Sequence, residues 1–172
     1  ARQNQRCATA GYRNVQEQFK DGFPFEIASG NFKKERMLIN GSQAIALGAI
    51  CSGLKFYSGY PMSTSTGIME TIASMAETHS IVIEQAEDEI SAINMAIGAS
   101  FAGARAMTAT SGGGFCLMVE ALGLAGMTET PVVVINAQRP GPSTGLPTRT
   151  EQGDLSFVIH AGHGEYPKAV LA

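Results

Sequence analysis

Residues 83–101, IEQAEDEISAINMAIGASF, decide the fold class. A short apolar run gives way, through the consecutive acids Glu87, Asp88 and Glu89, to apolar residues at helical spacing. Strand, acidic turn and helix in that order mark the carboxyl end of a strand in an open α/β sheet, which is where such sheets place their chemistry. The same alternation extends both ways from Met37. MLIN leads into the helical pattern SQAIALGAICSG, with Ser42 as the expected cap. KFYSGY, SIVIEQ, RAMTAT and PVVVINA read as strands, and TGIMETIASMAETH, residues 88–104 and CLMVEALGLAGM read as helices, with SGGGF as a Gly-rich turn. Repeated strand–helix units with Val/Ile-rich strands predict a three-layer α/β domain, a mostly parallel sheet with helices on both faces.

Composition sets the outer bounds. With 172 residues and 44% apolar side chains, the chain can bury one sizeable core and carry an appendage. The net charge of −3 is unevenly split, because residues 1–36 carry seven Lys/Arg against four acids whereas residues 37–172 carry five against eleven. Residues 1–36 also lack clear periodicity and contain the breaker Pro24, so they read as a linker or arm, and residues 37–172 as the folded domain. The basic residues are dispersed among acids, which argues against a nucleic-acid partner. No uninterrupted apolar run of about 18 residues and no basic-then-apolar leader occurs, so a cytoplasmic protein without a membrane segment is expected. A start at Ala1 without Met and an end inside PKAVLA suggest a piece of a longer polypeptide. Cys7, Cys51 and Cys116 share no metal or disulfide spacing and read as free, mostly buried thiols; His160 and His163 lack a third ligand nearby, so no metal site is expected.

Right-handed crossovers bring all strand-to-helix turns to one edge, where residues 58–66, 85–89, 111–114 and 138–148 should converge on a ligand site. The SGGG turn suits close approach of a backbone to an anion, but it lacks the G-x-G-x-x-G and P-loop patterns, and a tight structural turn explains it equally well. Helical angles put Ile90, Ile93, Ile97 and Phe101 on one face, point Asp88 away, and leave Glu87 and Glu89 flanking the apolar stripe. An acid at the edge of a buried stripe is pushed towards its neutral form or held by a hydrogen-bonding partner, and periodicity alone does not choose between these two. Arg139, at the end of PVVVINAQ in an acidic domain, suggests an anionic ligand.

These residues carry a resemblance. GSQAIALGAICSGLKFYSGYPMSTST, EQAEDEISAINMAIGASFAGARAMTATSGGGFCLM and INAQRPGPSTGLPTRTEQGD followed by HGEYP resemble the α subunit of 2-oxoacid:ferredoxin (acceptor) oxidoreductases. The resembling part is the domain that holds the aminopyrimidine of thiamine diphosphate. Carried over residue by residue, the resemblance puts the pyrimidine-activating glutamate on Glu87, two residues after Gln85. There it would hydrogen-bond the ring nitrogen opposite the exocyclic amine and so let that amine draw the proton from thiazolium C2. Pro61, Gly112 and Gly113 join it as implied cofactor contacts. The family's Tyr-Pro-Ile-Thr-Pro loop becomes YPMST at 60–64, so Ser63 keeps a substrate-binding hydroxyl, while Thr64 replaces the second proline, relaxes the loop and joins Ser63 as an implied substrate contact. Arg139 falls on the family's substrate arginine, suited to a two-pronged contact with a 2-oxoacid carboxylate.

The Gly-Asp-Gly and Asn pattern that binds metal and diphosphate in thiamine enzymes is missing. The resemblance therefore implies a partner β subunit supplying Mg2+, the diphosphate site and an iron–sulfur cluster, a γ domain or subunit ahead of this one, and coenzyme A and ferredoxin as co-substrates. It implies oxidative decarboxylation of a 2-oxoacid to an acyl-CoA, without indicating which 2-oxoacid. Two other classes compete: a non-catalytic subunit-interaction module using the small residues Ala92, Ala96, Gly98 and Ala99, and an unrelated nucleotide-binding enzyme using SGGG for phosphate.

Overall fold

The computed structural model describes residues 2–22, 25, 30 and 35–172. Pro24, Lys33 and Lys34, which entered the linker reading, lie outside the described residues. The chain divides into two compact units, Ala1–Met37 and Leu38–Ala172. In the first, Arg2–Gln18 forms helix α1 with no buried residue. Periodicity did not announce this helix, because its Ala, Arg, Gln and Glu content favours helix by intrinsic propensity while no packed face selects its apolar positions.

The second unit alternates helix and strand: α2 (Gly41–Cys51), β1 (Phe56–Gly59), α3 (Thr66–His79), β2 (Val82–Gln85), α4 (Glu89–Phe101), β3 (Ala106–Thr110), α5 (Gly112–Met127), β4 (Val133–Asn136) and α6 (Leu155–His160). All strand pairs are parallel and the sheet order is β2-β1-β3-β4. The chain builds leftward from β1 to β2, then crosses to β3 on the other side. The strand order thus reverses between β1 and β3, and their carboxyl ends flank a topological switch point.

Two apolar clusters cover the two faces. On one face Tyr57, Met107 and Ala109 of the strands pack with Ala46 of α2 and Ile68, Ile72 and Ala76 of α3. On the other, Ala92, Ile93 and Ile97 of α4 pack with Met118, Ala121 and Ala125 of α5. Because side chains alternate along a strand, Ser58, Thr108 and Thr110 face α4 and α5, where the Ser58 hydroxyl donates to the Ala92 carbonyl at 2.5 Å. Burial pushes the Tyr57 phenol above its ordinary range, so it stays neutral in the folded protein.

Several local expectations are corrected. Asn40, not Ser42, caps α2: its side chain accepts from Gln43 N at 2.9 Å while the Gln43 side chain accepts from Asn40 N at 3.0 Å, a closed capping box. The three glycines expected as a turn form the first turn of α5, and α4 ends at Phe101. Cys7, Cys51 and Cys116 are exposed rather than buried. The buried face of α4 is rotated by about one position from the large-residue stripe: Glu89, Ala92, Ile93, Ala96 and Ile97 are buried, while Ile90 is 51% and Phe101 75% exposed. Alanines bring the helix close to the sheet, so Ala92 and Ala96 serve ordinary helix–sheet packing.

Asp88 is the N-cap of α4 and accepts from Ser91 N at 2.7 Å. That backbone hydrogen bond, reinforced by the Ser91 side chain, holds its carboxyl below the usual carboxylate range. A carboxyl depressed in the folded state stabilises above its unfolded-state value and loses that contribution as the pH falls through its folded value. Asp88→Ala is accordingly expected to lower the Tm at neutral pH, with the difference from the parent protein closing on acidification in a pH series of melting curves.

Candidate functional site

The carboxyl edge of the sheet is held together by contacts between segments far apart in sequence. Ala86 N donates to the Gly59 carbonyl at 3.0 Å, and Ala137 N donates to the Thr110 carbonyl at 2.8 Å. The Thr64 hydroxyl donates to the Ala137 carbonyl at 2.9 Å, so the loop after β1 is tied to the end of β4 across the switch point. The expected convergence of the four turns is therefore seen, and the proline replaced by Thr64 is offset by a hydrogen bond. This spends Thr64's one donor, which leaves Ser63, exposed and without a hydrogen bond among the described residues, as the loop hydroxyl free to donate to a ligand.

The three acids separate clearly. Asp88 caps α4, Glu87 is exposed, and Glu89 is 6% exposed at the head of the buried stripe of α4. Glu89 lies against Gly114 in the first turn of α5: a Cβ added at Gly114 would sit 2.7 Å from both Cγ and Oε1 of Glu89 and would also collide with Thr110 Oγ1. Glu89 is thus enclosed within this chain, and Glu87 presents its carboxylate outward on the same edge. The sequence signal was available, since Glu89 precedes Ile93 by four residues and Ala96 by seven. Gly114→Ala should force Glu89 and Thr110 to shift, at an overpacking cost of about 1–3 kcal/mol, read as a lower Tm together with reduced activity of the assembled protein.

Arg139 is 7% exposed and its Nε has no partner. No acid lies within ion-pair distance of it among the described residues. A buried guanidinium without a counter-charge is costly, so an anion in front of it would stabilise the folded state. Among the described residues, four buried side-chain atoms lack a hydrogen-bond partner: Thr108 Oγ1, Ser111 Oγ, Asn136 Oδ1 and Arg139 Nε. Three of these sit at the carboxyl ends of β3 and β4. Such orphaned atoms are uncommon in a folded interior, and at this edge they are open to a partner such as ordered water or a ligand. Sequence reasoning placed Ser111 in a converging turn but missed Asn136, because an isolated polar residue at a strand end carries no spacing signal.

Gly112 and Gly113 differ in role. A Cβ on Gly112 would lie 2.6 Å from both carboxylate oxygens of Asp154, so the open face of this glycine is taken by the chain itself. Asp154 also accepts from Asn136 Nδ2 at 3.2 Å, and its backbone N donates to Gln138 Oε1 at 2.9 Å. A phosphate at this helix start would meet that carboxylate, which argues against the phosphate-binding reading of SGGG. Gly113 and Pro61 are exposed on the same edge. Phe157 of α6 packs edge-on against Phe115 of α5 with ring centroids 5.4 Å apart, placing α6 beside this turn. Among the described residues no three His, Cys, Asp or Glu side chains are grouped to hold a metal ion, and no helix is long and apolar enough to cross a membrane.

An apolar groove of about 650 Å³ lies at the opposite edge, lined by Ile45, Leu54, Ala106, Met107 and Val133 among others. Its one cation, Arg105, donates to the Ser52 carbonyl, and no carboxylate lines it. The chemistry-bearing residues are at the carboxyl edge.

Residues 47–172 match the sequence profile of the family described as pyruvate flavodoxin/ferredoxin oxidoreductase, thiamine diphosphate-binding. The chain is 48% identical, over 94% of its length, to the α subunit of 2-oxoacid:ferredoxin oxidoreductase 1 of Sulfurisphaera tokodaii, covering 28% of that protein. It is 49% identical, over 80% of its length, to 2-oxoglutarate synthase subunit KorA of Archaeoglobus fulgidus, covering 40% of it. Its fold is similar, with a TM-score of 0.84 and 43% identity, to a solved 2-oxoglutarate:ferredoxin oxidoreductase from Magnetococcus marinus with 2-oxoglutarate, coenzyme A and succinyl-CoA bound; 90% of this chain and 27% of that one are covered. The chain thus spans well under half the length of each of these relatives. With a parallel sheet, a buried acid at its switch point and the profile match over most of its residues, the chain belongs to the thiamine diphosphate-binding domain family of the pyruvate flavodoxin/ferredoxin oxidoreductases.

Proposed function

We propose that this chain supplies the pyrimidine-facing half of a thiamine diphosphate site in a 2-oxoacid:ferredoxin oxidoreductase, which converts a 2-oxoacid and coenzyme A to an acyl-CoA and passes the electrons to ferredoxin. The observation that carries the reading is a buried cation, Arg139, without an ion pair among the described residues, at a sheet edge that also presents Glu87 and where three buried polar atoms lack partners among those residues. In this reading Mg2+, the diphosphate site and the iron–sulfur cluster belong to a β subunit, and a γ domain or subunit completes the assembly.

Glu87, on the outward side of this edge two residues after Gln85, would hydrogen-bond the aminopyrimidine ring nitrogen opposite the exocyclic amine. Its exposure in this chain fits a site that the partner subunit closes, and closure would keep water from competing for that hydrogen bond. Glu89, enclosed against Gly114, packs behind it within the chain. Pro61 and Gly113 remain as contacts to the ring. When bound, thiamine diphosphate supplies the carbon nucleophile and the electron sink for decarboxylation. Arg139 pairs its guanidinium with the 2-oxoacid carboxylate, Ser63 donates to the same group or to the 2-oxo oxygen, and Thr64 fixes the loop.

The test is purification of the full-length protein with its native partners, followed by coenzyme A-dependent viologen reduction with pyruvate, 2-oxoglutarate and branched or aryl 2-oxoacids. Thiamine-dependent activity with one of these, absent from the chain alone, is expected. Activity without thiamine diphosphate, or robust turnover by the chain alone, would contradict the proposal.

A further inference from the structure

Asp154 lies 42 residues from Gly112 and 18 from Asn136 in sequence, yet it braces three parts of the candidate site at once. Its carboxylate fills the space over Gly112 at the start of α5, where the helix dipole favours a negative charge. The same carboxylate accepts from Asn136 Nδ2 at the end of β4, and its backbone N–H donates to Gln138 Oε1. Gln138 immediately precedes Arg139, whose Nε is buried and unpartnered. Asp154 also starts α6, with Val158 N donating to its carbonyl at 2.9 Å. A guanidinium that makes no ion pair of its own needs its backbone fixed if it is to meet an anion in a set direction. The contacts of Asp154 fix the backbone on its amino-terminal side.

Resting on the reading of Arg139 as the substrate anchor, we propose that Asp154 is a positioning residue for the 2-oxoacid carboxylate: it locks the end of β4 against α5 and acts on the reaction only through Arg139. Asp154→Ala removes the carboxylate half of the brace, the contact with Asn136 and the packing over Gly112, while the backbone N–H to Gln138 persists in either variant; Asp154→Asn keeps an oxygen that can accept from Asn136 and changes only the charge.

The measurement is a set of KM values for the 2-oxoacid and for coenzyme A in the assembled full-length enzyme. Asp154→Ala should raise the KM for the 2-oxoacid by about tenfold or more through misplacement of its anchor, leave the KM for coenzyme A within about twofold, and be largely rescued in Asp154→Asn. In an Arg139→Gln background, Asp154→Ala should add nothing, because the group it positions is already gone. Equal rises in both KM values, no rescue by Asn, or effects that multiply in the Arg139→Gln background would overturn the inference. If Asp154→Ala fails to assemble, Gln138→Leu, which breaks the other half of the brace, takes its place in the same comparison. An Arg139→Gln enzyme with unchanged KM for the 2-oxoacid would instead sink the underlying reading of the site.

Discussion

Glu87→Gln in the assembled enzyme is expected to lower 2-oxoacid turnover by roughly 10²–10⁴-fold, the range contributed by a positioned acid–base group, while assembly and cofactor retention stay near those of the parent protein. Glutamine matches glutamate in size, so the loss is of the carboxylate alone. The companion variant Glu89→Gln should keep most of its activity, since Glu89 is enclosed against Gly114 within the chain and glutamine preserves that packing. A reversed outcome, with Glu89 essential and Glu87 dispensable, would place the working carboxylate inside the chain. Measured together with thiamine diphosphate binding, the two substitutions separate loss of chemistry from loss of the site.

Arg139→Gln should be nearly as severe, but in a different parameter. Hydrogen bonds to charged groups contribute about 1.5–3 kcal/mol each, so losing a two-pronged contact with the substrate carboxylate should lower kcat/KM by roughly two to three orders of magnitude at least, chiefly through KM. The folded protein should not suffer in proportion, because Arg139 carries no counter-ion among the described residues and its removal relieves an uncompensated buried charge. Activity loss with an unchanged or raised Tm is the expected signature. An equal loss of stability and activity would instead indicate a structural arginine.

The layout of the sheet was legible in the chain because the four strands carry Val, Ile, Met and aromatic runs bounded by turn residues, and four regular strand–helix units admit few arrangements. What misled was size. On α4 the large residues Ile90 and Phe101 suggested the buried face, yet alanines mark the side that approaches the sheet, and that one-position rotation is what brings Glu89 inside and leaves Glu87 out. Glycine misled in the opposite sense: GGG reads as a turn, but here it begins a helix because Asp154 and Glu89 occupy the volume that side chains at Gly112 and Gly114 would need. Arg139 was visible as a lone cation at a strand end. Asp154, Asn136 and Gln138 were not, because their connection exists only across the folded edge and no local spacing encodes it.

The central claim is that this chain provides the carboxylate that faces the aminopyrimidine. It is tested most directly by solving the assembled full-length enzyme with thiamine diphosphate bound and measuring the distance from the Glu87 carboxylate to the pyrimidine ring nitrogen opposite the exocyclic amine. A separation in hydrogen-bond range, about 2.6–3.2 Å, is predicted; a ring nitrogen facing Glu89, or facing no carboxylate of this chain, would contradict the account.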